Sequence, residues 1–236
     1  MKRIILYSLL LTLGITTIVS CKKDNYKPPT LVLSGSVTYK GEPLQFQFNQ
    51  VGYQLYQYGF GLLGPINDVF GQDGTYSSLL FAGDYKLTVP NGSVPFKWPQ
   101  TSAGNPDSLS FNLTASKTMD IEVVPYYMIR TPQLSAAAGK VNANFKVEKI
   151  ILDATGKDID EVVLFVNKTQ YVSNDNSGQI SNVRLSGGSI TDPNNITLTA
   201  TIPSIVPTQN YVYARVGLKI SGLNSWIFSP VQKLTL

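Results

Sequence analysis

Histidine is absent from this 236-residue chain, and cysteine occurs once, at Cys21. The first absence removes Ser-His-Asp and Cys-His activation of a nucleophile, and every His-containing zinc site. The second excludes an internal disulfide, so the domains must hold by packing alone. Charge is also scarce, with Asp, Glu, Lys and Arg making up 14% of the residues. Tyr, Thr, Ser, Asn, Gly and Val are plentiful instead, the palette of short strands and turns, which points to an all-β protein. No Gly-rich strand-to-helix turn and no basic cluster occurs, so nothing supports a phosphate loop, a dinucleotide fold or a nucleic-acid module. Nothing in the sequence calls for a cofactor.

The single cysteine stands at an informative place. Lys2 and Arg3 precede an apolar run from Ile4 to Val19, whose 16 residues fall short of the roughly 20 that span a bilayer as a helix. A run of this shape reads as a cleaved export signal over residues 1–20. Its end, Ile18-Val19-Ser20-Cys21, resembles the lipobox of bacterial lipoproteins, in which small or branched apolar residues precede an obligatory cysteine. That resemblance implies lipid attachment at Cys21. The several acyl chains of such a cysteine, at about 0.8 kcal/mol per buried methylene, would make attachment to the membrane effectively permanent. Removing the leader leaves 216 residues and lowers the net charge from +4 to +2. This is room for two domains of about 100 residues each, and the charge is too near neutral to indicate a nucleic-acid or acidic-membrane partner. Residues 21–29 are polar, contain Pro28-Pro29 and lack an apolar period, so they form a solvated tether. Surface lipoproteins of Bacteroidota often carry an acidic export signal here, and only Asp24 is acidic.

Residues 30–125 carry the signals of a first β domain. Leu31 to Tyr39 alternates apolar and small polar residues, and Lys40-Gly41 turns the chain into Glu42-Pro43-Leu44. Val51, Tyr53 and Leu55 share one strand face, which leaves Tyr56, Tyr58 and Phe60 for the other, and one of the two faces must be core. Asp73-Gly74-Thr75-Tyr76 is a turn entering a strand, and the alternation of Tyr85, Leu87 and Val89 ends at Pro90. Residues 91–108 form a loop that carries Phe96 and Trp98. The order Gly35-x-Val37, Gly41-Glu42-Pro43-Leu44, Gln72-Asp73-Gly74-Thr75-Tyr76, Leu80-Phe81-Ala82-Gly83-Asp84-Tyr85-Lys86-Leu87 resembles the prealbumin-like, carboxypeptidase-regulatory-like β-sandwich. Continuing to Val123-Val124-Pro125-Tyr126, the chain is similar to an uncharacterised Bacteroidota lipoprotein family that pairs such a domain with a fibronectin-like one. The resemblance implies an outer-membrane lipoprotein associated with SusC/SusD-like uptake systems, and hence a part in nutrient uptake.

Residues 126–236 read as a second sandwich, with strand-like segments at 141–147, 161–166, 196–202, 211–220 and 226–234 separated by Gly, Asn, Asp or Pro clusters. Ile205-x-Pro207-x-Gln209-x-Tyr211 resembles the tyrosine corner of fibronectin type III domains. This makes Tyr211 the candidate corner residue, although that family usually has threonine where Gln209 stands. The expected architecture is thus two tandem β-sandwiches, prealbumin-like and then fibronectin- or immunoglobulin-like, behind a lipoprotein signal peptide.

Candidate chemistry is sparse. Asp73 and Asp84 adjoin glycines, where Asp ordinarily stabilises turns. Asp158, Asp160 and Glu161, with Asn174-Asp175-Asn176, offer hard oxygen ligands for calcium, but EF-hand spacing is absent and solvated turns are the favoured account of them. Asp107-Ser108-Leu109 resembles a short O-glycosylation signal of Bacteroidota exported proteins. Aromatic residues are the more informative group, because sugar rings stack on exposed aromatic planes while neighbouring polar groups bond the hydroxyls. Tyr56, Tyr58 and Phe60, interleaved with Gln54 and Gln57, would make one such platform, and Trp98 or Trp226 another; core packing is the alternative for each. The sequence thus leads to a non-enzymatic, lipid-anchored protein of the outer membrane and cell surface. It would hold a glycan or dock beside a SusC/SusD-like transporter, or else serve as a spacer with no small-ligand site.

Overall fold

Alternation of apolar and polar residues becomes strand along most of the chain in the computed structural model, which describes residues 27–236 apart from positions 60, 91 and 93. Cys21, the leader and Phe60 lie outside the described residues. The first half contains β1 (Leu31–Tyr39), β2 (Glu42–Pro43), β3 (Gly52–Tyr58), β4 (Pro65–Val69), β5 (Thr75–Leu80), β6 (Gly83–Thr88), β7 (Phe96–Lys97), β8 (Leu109–Leu113), β9 (Lys117–Thr118), β10 (Ile121–Glu122) and β11 (Val124–Pro125). The second contains β12 (Tyr127–Ala137), β13 (Lys140–Lys149), β14 (Ile159–Asn167), β15 (Ser181–Ser186), β16 (Ile196–Thr201), β17 (Tyr211–Ile220), β18 (Trp226–Phe228) and β19 (Gln232–Thr235). Helix among the described residues is confined to two 3-10 turns, Asn176–Gly178 and Gly187–Ser189. The chain is all-β, with two tandem sheet domains.

In the first domain β1 runs through the middle of one sheet. It pairs antiparallel with β5 and β2 and parallel with β9 and β10. The second sheet is antiparallel throughout, in the order β4-β3-β6-β8. The two meet across Tyr53 and Tyr76, whose rings lie edge to face at 5.4 Å, in a core that also holds Leu33, Val37, Leu55, Leu87 and Leu113. Two glycines of the sequence pattern are explained by close approach. A Cβ on Gly35 would lie 2.1 Å from the Met119 carbonyl oxygen, and one on Gly74, whose φ is +80°, would lie 2.1 Å from that of Leu44. Asp73 closes the Gly74 turn by accepting from the Thr75 N–H at 3.1 Å and the Thr75 hydroxyl at 2.7 Å.

The second domain sets a three-stranded sheet, β12-β13-β16, against a larger one ordered β15-β14-β17-β18, with β19 also on β17. A period of two fills the space between them: Val141, Ala143, Phe145 and Val147 from β13 meet Val162, Leu164 and Val166 from β14 and Val212, Ala214, Val216 and Leu218 from β17. The run Val162-Val163-Leu164-Phe165-Val166 breaks that alternation because its other face is buried too. Val163 and Phe165 join Val172, Trp226 and Phe228 in a second cluster on the outer side of the sheet.

The cover for that outer side comes from the first domain. Residues 44–50 lie along β17 and β18, joined by one antiparallel bridge between Gln45 and Phe228. The Phe228 N–H donates to the Gln45 carbonyl at 3.0 Å, and the Trp226 N–H to Gln50 Oε1, also at 3.0 Å. Gln47 Nε2 donates to Asp175 at 2.9 Å. Phe46 packs its ring into the first domain, 6.1 Å from Phe70 and 5.9 Å from Phe96. Buried residues of both domains form one continuous cluster. Arg215 is also sealed in this junction, fully buried, with its guanidinium 3.8 Å from the centre of the Phe228 ring and Nη1 donating to the Phe46 carbonyl at 2.9 Å.

Candidate functional site: the outer face of the first domain

The strand period decides which aromatic residues face out. Tyr53 and Leu55 of β3 are buried, so the intervening Gln54, Tyr56 and Tyr58 project from the opposite face of the β4-β3-β6-β8 sheet. Tyr56 is half-buried and Tyr58 is 43% exposed. Gln57 belongs with the inner set and bonds the Ala82 carbonyl, so it does not flank the tyrosines as its interleaving suggested.

Strand register then arranges the outer face in rows. Tyr56 pairs with Pro65 of β4 and Lys86 of β6, and Lys86 with Ser110 of β8. On one side of that row lie Asn67, Gln54 and Thr88; on the other lie Tyr58, Asp84 and Asn112. Hydrogen bonds hold these side chains in place. Gln54 donates to Asn67 at 2.9 Å and accepts from the Tyr56 hydroxyl at 3.1 Å, and Asn112 donates to Asp84 at 2.7 Å. Lys86 Nζ lies 5.3 Å from the centre of the Tyr58 ring, within cation–π range.

Two shallow grooves flank Tyr58. One, of about 470 Å³, is lined by Gln54, Tyr56, Tyr58, Lys86 and Thr88, with Leu63, Pro90, Pro106 and Ser108 along its sides. The other, of about 490 Å³, is lined by Tyr58, Asp84, Tyr85, Lys86, Ser110 and Phe111. Tyr58 and Lys86 are common to both and form the ridge between them. Aromatic walls with a few oriented amides and hydroxyls are the chemistry that a sugar ring requires.

Trp98 and Trp226 require a correction. They are 8% and 3% exposed, so neither presents a ring face to solvent. The indole N–H of Trp98 donates to the Asp107 carbonyl at 2.9 Å, and the Thr88 hydroxyl donates to the same oxygen at 2.7 Å. Trp98 thereby pins Pro106 and Ser108 against the edge of the groove; it supports the wall and is not a platform. Trp226 packs edge to face on Phe165 at 5.6 Å in the outer cluster that the first domain covers. Phe60, the third residue expected on the tyrosine face, lies outside the described residues.

The other candidates have structural occupations. Arg184 bonds Glu161 at 2.6 Å and Asn174 at 2.7 Å, so a guanidinium stands where calcium would have to sit. No group of three or more acidic or thiol side chains suited to a metal occurs among the described residues. Tyr211 makes no hydroxyl bond to upstream backbone among the described residues. Its ring lies under Lys233 Nζ at 4.0 Å, and Gln209 instead ties the segment by donating to the Tyr211 and Lys168 carbonyls. The groups whose ionisation the fold displaces most are remote from the grooves. Burial pushes Tyr76 up to about 12 and raises Tyr53, and it lowers Arg215 to about 9. One exposed aromatic pair escaped the sequence reading: Phe48 and Tyr171, one from each domain, meet at 5.3 Å over the junction. They lie 123 residues apart and share no local pattern or motif, and only the docking of the domains joins them.

Residues 31–124 match a family described as "Protein of unknown function (DUF3823) N-terminal domain", and residues 127–233 match "Domain of unknown function (DUF3823_C)". Among solved structures, a DUF3823 family protein from Parabacteroides merdae is 34% identical, with a TM-score of 0.74 over 89% of this chain and 100% of that one. Another from Bacteroides ovatus is 26% identical, with a TM-score of 0.75 over 88% and 100% of the two chains. A third neighbour, from Bacteroides uniformis, is described as a "putative carbohydrate binding protein"; it is 17% identical, with a TM-score of 0.67 over 88% and 100%. A search of curated proteins finds no match.

Proposed function

The chain belongs to the DUF3823 family, and from the outer face of its first domain we propose a non-enzymatic, lipid-anchored protein that holds glycans for an outer-membrane uptake system. The observation that carries this reading is the Tyr56–Tyr58 face. Two aromatic side chains flank grooves whose polar groups are already oriented by hydrogen bonds, so little ordering cost remains for a ligand to meet. The description of the Bacteroides uniformis neighbour is consistent with it. Affinity electrophoresis through gels containing plant or host polysaccharides tests the reading. Wild type should be retarded on at least one glycan, and Tyr58→Ala should restore free mobility while its circular dichroism is unchanged.

Anchoring rests on the Ile18-Val19-Ser20-Cys21 sequence. Cys21→Ser should abolish incorporation of labelled fatty acid and release the protein from detergent-phase partitioning. A second reading, a docking or spacer protein of a SusC/SusD-like complex, draws on the apolar tip of the β3–β4 hairpin, where Leu62 is 99% exposed and Leu63 half as much. That reading expects co-purification with transporter proteins that is lost in Leu62→Ser, and no retardation on any glycan.

A further inference from the structure

We propose that the ligand is an extended oligosaccharide carrying carboxylates, a uronate-type chain that lies across Tyr58 with an acidic unit against Lys86. This deepens the glycan reading of the same face and rests on it. Lys86 is exposed and forms no ion pair among the described residues. Among the described residues it is the one charged side chain lining the Tyr56 groove, whose other polar groups, Gln54, Thr88 and Ser108 among them, are neutral. Neither nearby acid lines the Tyr56 groove. Asp84 accepts from Asn112 at 2.7 Å and lines only the second groove, and Asp107 accepts from the Ser108 N–H at 2.7 Å and does not line the Tyr56 groove. A ligand carboxylate on the Tyr56-groove side of Lys86 would therefore gain a charge-assisted hydrogen bond without meeting a resident anion, while units that extend into the second groove pass Asp84.

Length follows from the shared ridge. Because Tyr58 and Lys86 border both grooves, a ring stacked on Tyr58 has open space on either side, and neighbouring sugar units extend into each. A single sugar fills one groove at most. The charge contribution is moderate, since Lys86 is solvated and screened, and about five-fold in affinity is the scale to expect at low salt.

Calorimetric titration of the full mature chain with a galacturonate pentamer, with the same pentamer after carboxyl reduction, and with the galacturonate monomer tests the proposal. The acidic pentamer should bind about five-fold more tightly than its reduced counterpart at low salt, and the monomer far more weakly than either. The preference should disappear at high salt and in Lys86→Met, which keeps the aliphatic stem over Tyr58. Equal affinity of the two pentamers, or a preference that survives in Lys86→Met, overturns the acidic ligand and leaves the aromatic platform standing. Failure of both pentamers to bind wild type overturns the platform and the proposal together.

Discussion

Arg215 is the residue that sequence reasoning had least reason to single out. It stands at an outward position of β17, where alternation assigns a solvated side chain, and it is instead fully buried under the first domain. Its Nη1 has the Phe46 carbonyl, whereas Nε and Nη2 have no hydrogen-bond partner among the described residues. An interior cation with one neutral acceptor and a ring face is poorly compensated. Replacing it with an apolar chain of similar reach should therefore cost little. Arg215→Met should be as stable as wild type or more so in urea unfolding. Arg215→Ala should lose about 2–4 kcal/mol through the cavity left against Phe228. A loss of more than about 2 kcal/mol in Arg215→Met would show that the guanidinium is better satisfied than its contacts indicate.

The same residue sets a pH dependence. Burial lowers Arg215 to about 9 from 12.5, so between those values the unfolded chain holds a proton that the native one lacks. Its contribution to stability rises with pH in that window. Tyr76, pushed up to about 12, and Tyr53, also raised, act oppositely. Unfolded tyrosines ionise near 10 while these keep their protons, so stability falls as pH climbs past 10. Denaturant midpoints should decline above pH 10, and more steeply in Arg215→Met, which lacks the opposing group.

At the scale of elements, the two sheets of the first domain show how much local pattern settles. The split of β3 into a core face and an outer face was legible from Val51, Tyr53 and Leu55, because side chains alternate whatever the strand pairs with. Register placed Lys86 beside Tyr56, and register is a property of pairing that no single strand encodes. The Trp98 loop was misjudged for a related reason. A Pro- and Gly-rich segment reads as exposed, yet the indole finds the Asp107 carbonyl and folds the loop inward. The Gly74 turn is the most constrained of these elements. Gly74→Ala meets both a positive φ and the Leu44 carbonyl, so it should destabilise the chain by at least about 2 kcal/mol in thermal or urea unfolding.

At the scale of the molecule, the junction makes one body of two domains. Burying Trp226, Phe228 and Phe165 contributes roughly 2–3 kcal/mol each, and the strap of residues 44–50 that covers them belongs to the other domain. Calorimetry of the chain with both domains present should show a single unfolding transition. Residues 126–236 alone should expose this cluster and bind a hydrophobic dye or self-associate, whereas two independent transitions would separate the domains energetically. The unbroken run Val162–Val166 was the one local hint of this arrangement, since a strand apolar on both faces must be covered on both.

The order of residues by itself determined the all-β class, the division into two sheet domains, the turn role of Asp73 and the face that Tyr56 and Tyr58 share. Each follows from chemistry within a few residues: alternation, turn propensity, the absence of histidine and disulfide-forming pairs. Tertiary structure alone decided that Trp98 and Trp226 are buried, that Arg184 occupies the acidic cluster and that Lys86 joins the tyrosines. It also decided that an arginine on a strand's outer face is sealed against Phe228. These depend on strand register and on one domain covering another, contacts between residues far apart in the chain whose partners no local pattern specifies.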